Sequence, residues 1–165
     1  MSNMDKQQIG KLIKALFESD QKHHNSEEQL KNITADIQAA LTVLVRRKIE
    51  QDPPVNRIDL RKVKLPRVEI PKGNLRETNL SGANLNGANL NGINLREANL
   101  SGANLNGANL NRANLNRANL REANLDRARL LGTNLSETLN LIPQQIKLAC
   151  YWDQAIHVED NRPLA

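Results

Sequence analysis

Aromatic residues are almost missing from this chain: it has one Phe, one Tyr and one Trp in 165 residues. A core built on stacked rings is excluded, and a nucleic-acid surface that holds bases on aromatic platforms is disfavoured. The single cysteine, Cys150, excludes an internal disulfide and fits a reducing compartment. Long apolar runs are missing too. The stretch MSNMDKQQIG at the amino terminus shows neither a signal peptide nor a membrane span, so a cytoplasmic protein with no membrane partner is expected. There is little charge of either sign in excess: 23 Lys/Arg stand against 18 Asp/Glu, a net of +5. No GxxxxGK[ST] phosphate loop occurs and no cofactor is expected. At this length the chain forms one or two small domains.

What the chain does have is a period of five. From Ile58 to Glu137 it divides into pentads such as GNLRE, TNLSG, ANLNG and INLRE. A Leu or Ile stands at the centre of every one: Leu60, Leu65, Ile70, Leu75, Leu80, Leu85, Leu90, Leu95, Leu100, Leu105, Leu110, Leu115, Leu120, Leu125, Leu130 and Leu135. Two positions earlier the residue is small or apolar, most often Ala, and one position earlier it is nearly always Asn. Self-similarity at a fixed period marks a repeat architecture. A helix does not fit, because Leu at every fifth residue would turn the apolar stripe by about 140° per repeat and wind it round the axis. A strand has period 2. A chain that turns a corner every five residues satisfies the pattern: Leu and Ala point to the axis and the rest faces water.

These pentads resemble the pentapeptide-repeat family, whose pattern is A(D/N)LXX. The resemblance covers 58–137. It implies an all-β solenoid with helical caps, in which four pentads make one square coil and about four coils stack as a right-handed quadrilateral β-helix. Stacking every twentieth residue then gives four interior ladders, for example Leu60, Leu80, Leu100 and Leu120. The first coil departs from the pattern, with Ile58, Val63 and Val68 in place of Ala and with Pro66 and Pro71 after the central residue. Terminal repeats of a solenoid are often atypical because they face a cap. Asn at nearly every repeat reads as a turn residue that bonds its own backbone, and the Gly residues at 82, 87, 92, 102 and 107 read as corners.

Ahead of the repeats, residues 1–52 read as an αα-hairpin, joined by a linker over 53–57. Ile9, Leu12, Ile13, Leu16 and Phe17 recur at helical spacing, and Leu30, Ile33, Ile37, Leu41 and Leu44 do so again. Asn25 or Ser26 caps the second helix, and Asp52-Pro53-Pro54 stops it. That helix of about 25 residues is roughly 37 Å long. One side of a square coil, about three extended residues, spans only about 10 Å. The surplus stripe, Leu30 to Leu44, is a candidate assembly surface for a homodimer. His23 and His24 lie in the polar turn between the helices, where no ligand set forms around them.

Behind the repeats, 138–165 reads as a cap and tail. Pro143 suits a first helical position, and PQQIKLACYWDQAI reads as a short amphipathic helix. Ile142, Ile146, Ala149, Cys150 and Trp152 supply its apolar face, with Ile142, Ile146 and Trp152 the candidate cap residues and Cys150 a small buried one.

The resemblance carries a functional expectation as well. Some members of the family mimic DNA through an acidic surface and bind type II topoisomerases. Here 58–137 holds 12 Lys/Arg against 7 Asp/Glu, and the Asp/Asn position is almost always neutral Asn, which argues against mimicry. The late arginines Arg112, Arg117, Arg121, Arg127 and Arg129 are the candidate basic patch. Twenty-residue stacking spreads them over different sides, whereas a phosphate-tracking protein needs its cations along one path. Nucleic acid is therefore not the expected partner. Enzyme chemistry is not expected either, because carboxylates such as Glu77 and Glu97 lie on an exposed convex side. The expectation is a rigid scaffold that binds another protein.

Overall fold

The computed structural model describes residues 58–156. The hairpin over 1–52 with Leu30, Ile33, Ile37, Leu41 and Leu44, the linker 53–57 and the tail from 157 lie outside the described residues.

Each pentad makes one side of a square. In ANLNG at 83–87, Ala83 and Leu85 turn inward, and Asn84 pairs between the coils above and below. Asn86 and Gly87 make the corner, where the Ala88 N–H donates to the Leu85 carbonyl at 3.0 Å. The second corner residue has positive φ, +65° at Gly87, as a type II turn requires. The Asn84 side chain locks the entry to the turn: its Oδ1 accepts from the Asn86 N–H at 3.1 Å. Pro66 and Pro71 occupy the first corner position, where a fixed φ suits a type II turn.

Parallel bridges join residues twenty apart from Asp59↔Asn79 to Asn119↔Leu139, so one turn of the coil takes four pentads. Every bridge is one residue wide, because the corners come too often for a longer run. The repeat unit of hydrogen bonding is visible at the first rung. Leu60 N–H donates up to the Asn79 carbonyl at 2.8 Å, and Asn79 N–H donates down to the Ile58 carbonyl at 2.8 Å. Successive coils rise by about 4.8 Å.

The axis is filled with aliphatic side chains. The central Leu or Ile residues from Leu60 to Leu135 are all buried, with Ala, Ile, Val, Thr or Gly between them. Ile93 breaks the small-residue ladder of its side and is fully buried. Gly73, one coil before it, and Ala113, one coil after it, are the small residues that leave the room.

The carboxy-terminal segment departs from the expected helix. Helix α1, Pro143–Ile146, is a single turn. The chain then returns to the solenoid edge: Arg129 bridges to Cys150, and Asn134 to Ile156, with a 3-10 turn at Trp152–Gln154 between them. The cause is the open edge itself. Leu130 and Leu135 N–H groups, which no further coil would satisfy, donate to the Cys150 and Ile156 carbonyls at 2.9 Å each. Extending the helix would have left them without these acceptors. Cys150 accordingly takes the outward place of a repeat Asn and is exposed, not buried. Ile146 and Ala149 are buried, Trp152 packs partly buried against the core, and Ile142 is 52% exposed. Where α1 interrupts the pairing, Gln145 takes over. Its Nε2 donates to the Leu120 carbonyl at 2.7 Å and to the Ala123 carbonyl at 2.9 Å.

Candidate functional site

With an interior closed by aliphatic side chains, chemistry is confined to the four sides and four corners of the rod. Side one holds residues 58–60 and their successors at intervals of twenty; side two starts at 63–65, side three at 68–70 and side four at 73–75. The corner after each side carries one residue with positive φ per coil. Of these sixteen, six are Gly and the other ten are Lys, Arg or Glu. A left-handed conformation costs a residue with a side chain roughly 1–2 kcal/mol. Long charged side chains sit there because the corner is the most exposed place on the square.

The corner between sides four and one is closed by ion pairs. Arg76 lies 3.1 Å from Glu77 and 3.4 Å from Glu97, and Arg96 Nε lies 3.0 Å from Glu97 Oε1. One coil on, Arg117 Nε donates to Glu137 Oε2 at 2.7 Å. Partial burial alone would raise the Glu97 carboxyl, but hydrogen bonding and charge from Arg96 and Arg76 outweigh it and hold the group below its ordinary value. The hydrogen bond from Arg117, helped by Asn116, does the same for Glu137.

The corner between sides two and three is the diagonal opposite. It carries Arg67, Gly87, Gly107 and Arg127 in successive coils. A Cβ added at Gly87 would stand 3.4 Å from Arg67 Cγ, so the stem of Arg67 climbs the bare corner; at Gly107 nothing lies within 4 Å. The next corner, after side three, carries Lys72, Gly92, Arg112 and Gly132, and the stems of Lys72 and Arg112 lie against Gly92 and Gly132 in the same way.

Between those two corners, side three presents one column of Glu69, Asn89, Asn109 and Arg129. Asn109 Nδ2 donates to Asn89 Oδ1 at 3.4 Å, and Asn89 Nδ2 donates to Glu69 Oε2 at 2.7 Å. The amides therefore all point one way, toward a carboxylate at one end and away from a guanidinium at the other. The corner after side two carries a matching amide pair, with Asn86 Nδ2 donating to Asn106 Oδ1 at 3.1 Å.

The late arginines are thus divided. Arg117 and Arg121 sit beside carboxylates, the latter with Nε 3.2 Å from Glu122 Oε1. Arg112, Arg127 and Arg129 all border side three and make no ion pair among the described residues. Arg67 and Lys72 complete that border, and reading the late arginines as one cluster misses both. Position modulo twenty is the signal that finds them. Among the described residues no helix is long and apolar enough to cross a membrane, and no group of His, Cys, Asp and Glu could hold a metal ion.

A family model described as pentapeptide repeats matches residues 74–112 and 103–139. No curated protein matches the chain. Among solved structures, a pentapeptide repeat protein from the cyanobacterium Cyanothece is 31% identical, over 56% of this chain and 61% of its own, with a TM-score of 0.30. The chain thus spans less than two thirds of that protein's length. A pentapeptide repeat protein from Nostoc is 25% identical over 61% of this chain and 77% of its own, with a TM-score of 0.30. HetL of Nostoc, described as involved in heterocyst differentiation regulation, is 24% identical over 67% of this chain and 68% of its own, with a TM-score of 0.23. The pentads that organise this chain thus match the pentapeptide-repeat model over 74–139 and pair with a twenty-residue register; pentapeptide repeat proteins adopt a right-handed quadrilateral β-helix.

Proposed function

We propose that this chain is a non-enzymatic scaffold: a rigid rod of about four coils that binds a protein partner on one of its sides. The observation that carries this reading is the repeated surface. Through the middle coils, sides one to three present Asn, Ser and Gly at fixed places, with side-chain amides bonded from coil to coil. Such a surface is flat, pre-organised and neutral, and it is suited to recognition by shape and hydrogen bonding. The amino-terminal helices would add assembly, with Leu30, Ile33, Ile37, Leu41 and Leu44 joining two chains, and the protein would work in the cytoplasm.

The test is capture of partners by the full chain and by variants altered one side at a time. Asn84→Arg with Asn104→Arg changes side two; Asn89→Arg with Asn109→Arg changes side three. The scaffold reading expects a partner that one such variant loses and the others keep. Equal capture by all variants, or no partner enriched at all, would sink it. Light scattering of the full chain and of Ile33→Glu/Ile37→Glu addresses assembly, with a dimer turning to monomer expected.

A further inference from the structure

We propose that side three is a docking face for an acidic, extended polypeptide segment of a partner protein; the inference rests on the scaffold reading and names the side and the chemistry. The pairs of Arg61 with Asp59, Arg76 with Glu77 and Glu97, Arg96 with Glu97, Arg117 with Glu137 and Arg121 with Glu122 lie on side one or at its corners, whereas Arg67, Lys72, Arg112, Arg127 and Arg129 border side three and make no ion pair among the described residues. The carboxylates within the same frame are Glu69, which holds Asn89, and Asp126.

Spacing fits an extended chain. Arg67 and Arg127 are three coils apart, about 14 Å, and Lys72 and Arg112 two coils, about 10 Å. An extended peptide rises about 3.4 Å per residue, so carboxylates three and four residues apart reach successive cations when it lies along the rod axis. The floor between the cations can meet its backbone carbonyls, since Asn89 and Asn109 each use one Nδ2 N–H in the column and keep the second as a donor. Gly107 leaves one border bare, with nothing within 4 Å of where a Cβ would stand, so the segment can approach the floor there without displacing side chains. The Asn109–Asn89–Glu69 column also has direction, with Arg129 at its far end. It places the acidic end of the segment toward the last coil, where Arg112, Arg127 and Arg129 stand. Nucleic acid suits the face less well, because sides one to four carry no aromatic residue on which bases could stack.

Fluorescence anisotropy of a labelled Glu-rich peptide with the full chain at low salt tests the proposal. Arg112→Gln/Arg127→Gln/Arg129→Gln is expected to weaken binding by about tenfold or more, and Arg61→Gln/Arg96→Gln/Arg121→Gln, which removes the same charge elsewhere, by less than about threefold. All six positions are on the surface, and circular dichroism verifies that both variants stay folded. Equal losses in the two variants would reduce the effect to net charge and overturn the proposal. If the peptide fails to bind even at low salt, the side-three inference falls while capture by the side-by-side variants still decides the scaffold reading. Tighter binding of oligo-dT, lost in the same side-three variant, would overturn both in favour of a nucleic-acid role.

Discussion

Two diagonal corners of one square behave differently although the backbone treats them alike. Both place a residue with positive φ in each coil: Glu77, Glu97, Arg117 and Glu137 on one corner, Arg67, Gly87, Gly107 and Arg127 on the other. Behind each stands a ladder of buried leucines. On the first corner, charges of opposite sign face each other between coils and cancel. On the second, cations stand at the two ends with glycine between. The difference teaches that the repeat fixes where a side chain can stand but leaves its charge free. Selection for stability needs only the interior, so the outside of each corner can be set independently.

The interior supplies the largest expected effect and the strictest check on that view. Leu95 lies behind the paired corner and Leu105 behind the bare one, and both are fully buried. Leu95→Ala and Leu105→Ala should each cost about 3 kcal/mol, the usual scale for emptying a packed aliphatic site. Urea unfolding measures both. A gap between them as large as the effect itself would mean that the corners differ inside as well.

A smaller effect separates backbone from charge. Gly107 has φ +66° with open space where a Cβ would go, so Gly107→Ala should lose about 1 kcal/mol from backbone strain alone. Glu97 accepts φ +59° without being glycine. Glu97→Gly relieves that strain but gives up exposed ion pairs worth little each, so its net change should stay within about 1 kcal/mol. If Glu97→Gly proves strongly destabilising, the ion-paired corner contributes more than exposed pairs normally do.

Acid sensitivity is the smallest effect expected. The folded chain holds Glu97 and Glu137 below the ordinary value of 4.5. Their contribution to stability is therefore fully present above that value and is lost as pH falls through the lowered folded values. Glu137→Gln should lie slightly below the parent at neutral pH and converge with it in acid. Arg67→Gln, at the bare corner, should show no such convergence. A Glu137→Gln curve that runs parallel to the parent into acid would break the link between pairing and the carboxylate.

Much of this architecture was legible in the residues. A Leu or Ile every five positions from Leu60 to Leu135 demands a chain that turns on that period, because no helix or strand can bury it. Asn before Leu marks the turn that its own Oδ1 closes. Two things were not legible. Pro66 and Pro71 read as departures from the repeat pattern in a terminal coil, and the structure shows them as corner residues with the φ that corner needs. Cys150 read as one face of a helix because Ile142, Ile146, Ala149 and Cys150 recur at helical spacing; the open rungs at Leu130 and Leu135 drew that stretch back into pairing instead. Periodicity is a local signal, and those N–H groups are about twenty residues away along the chain.

The sequence by itself determined the pentad, the filling of the axis and the turn at each corner, since all three follow from residues within five positions of one another. Tertiary structure decided which charges become neighbours. Arg67 and Arg127 are sixty positions apart in the chain and share a corner, while Arg121 and Arg127 are six apart and belong to different corners. Only the number of sides per turn makes that assignment, and it comes from how successive coils pair. The end of the rod was decided the same way: a coil needs acceptors for its last N–H groups, and the nearest chain supplied them.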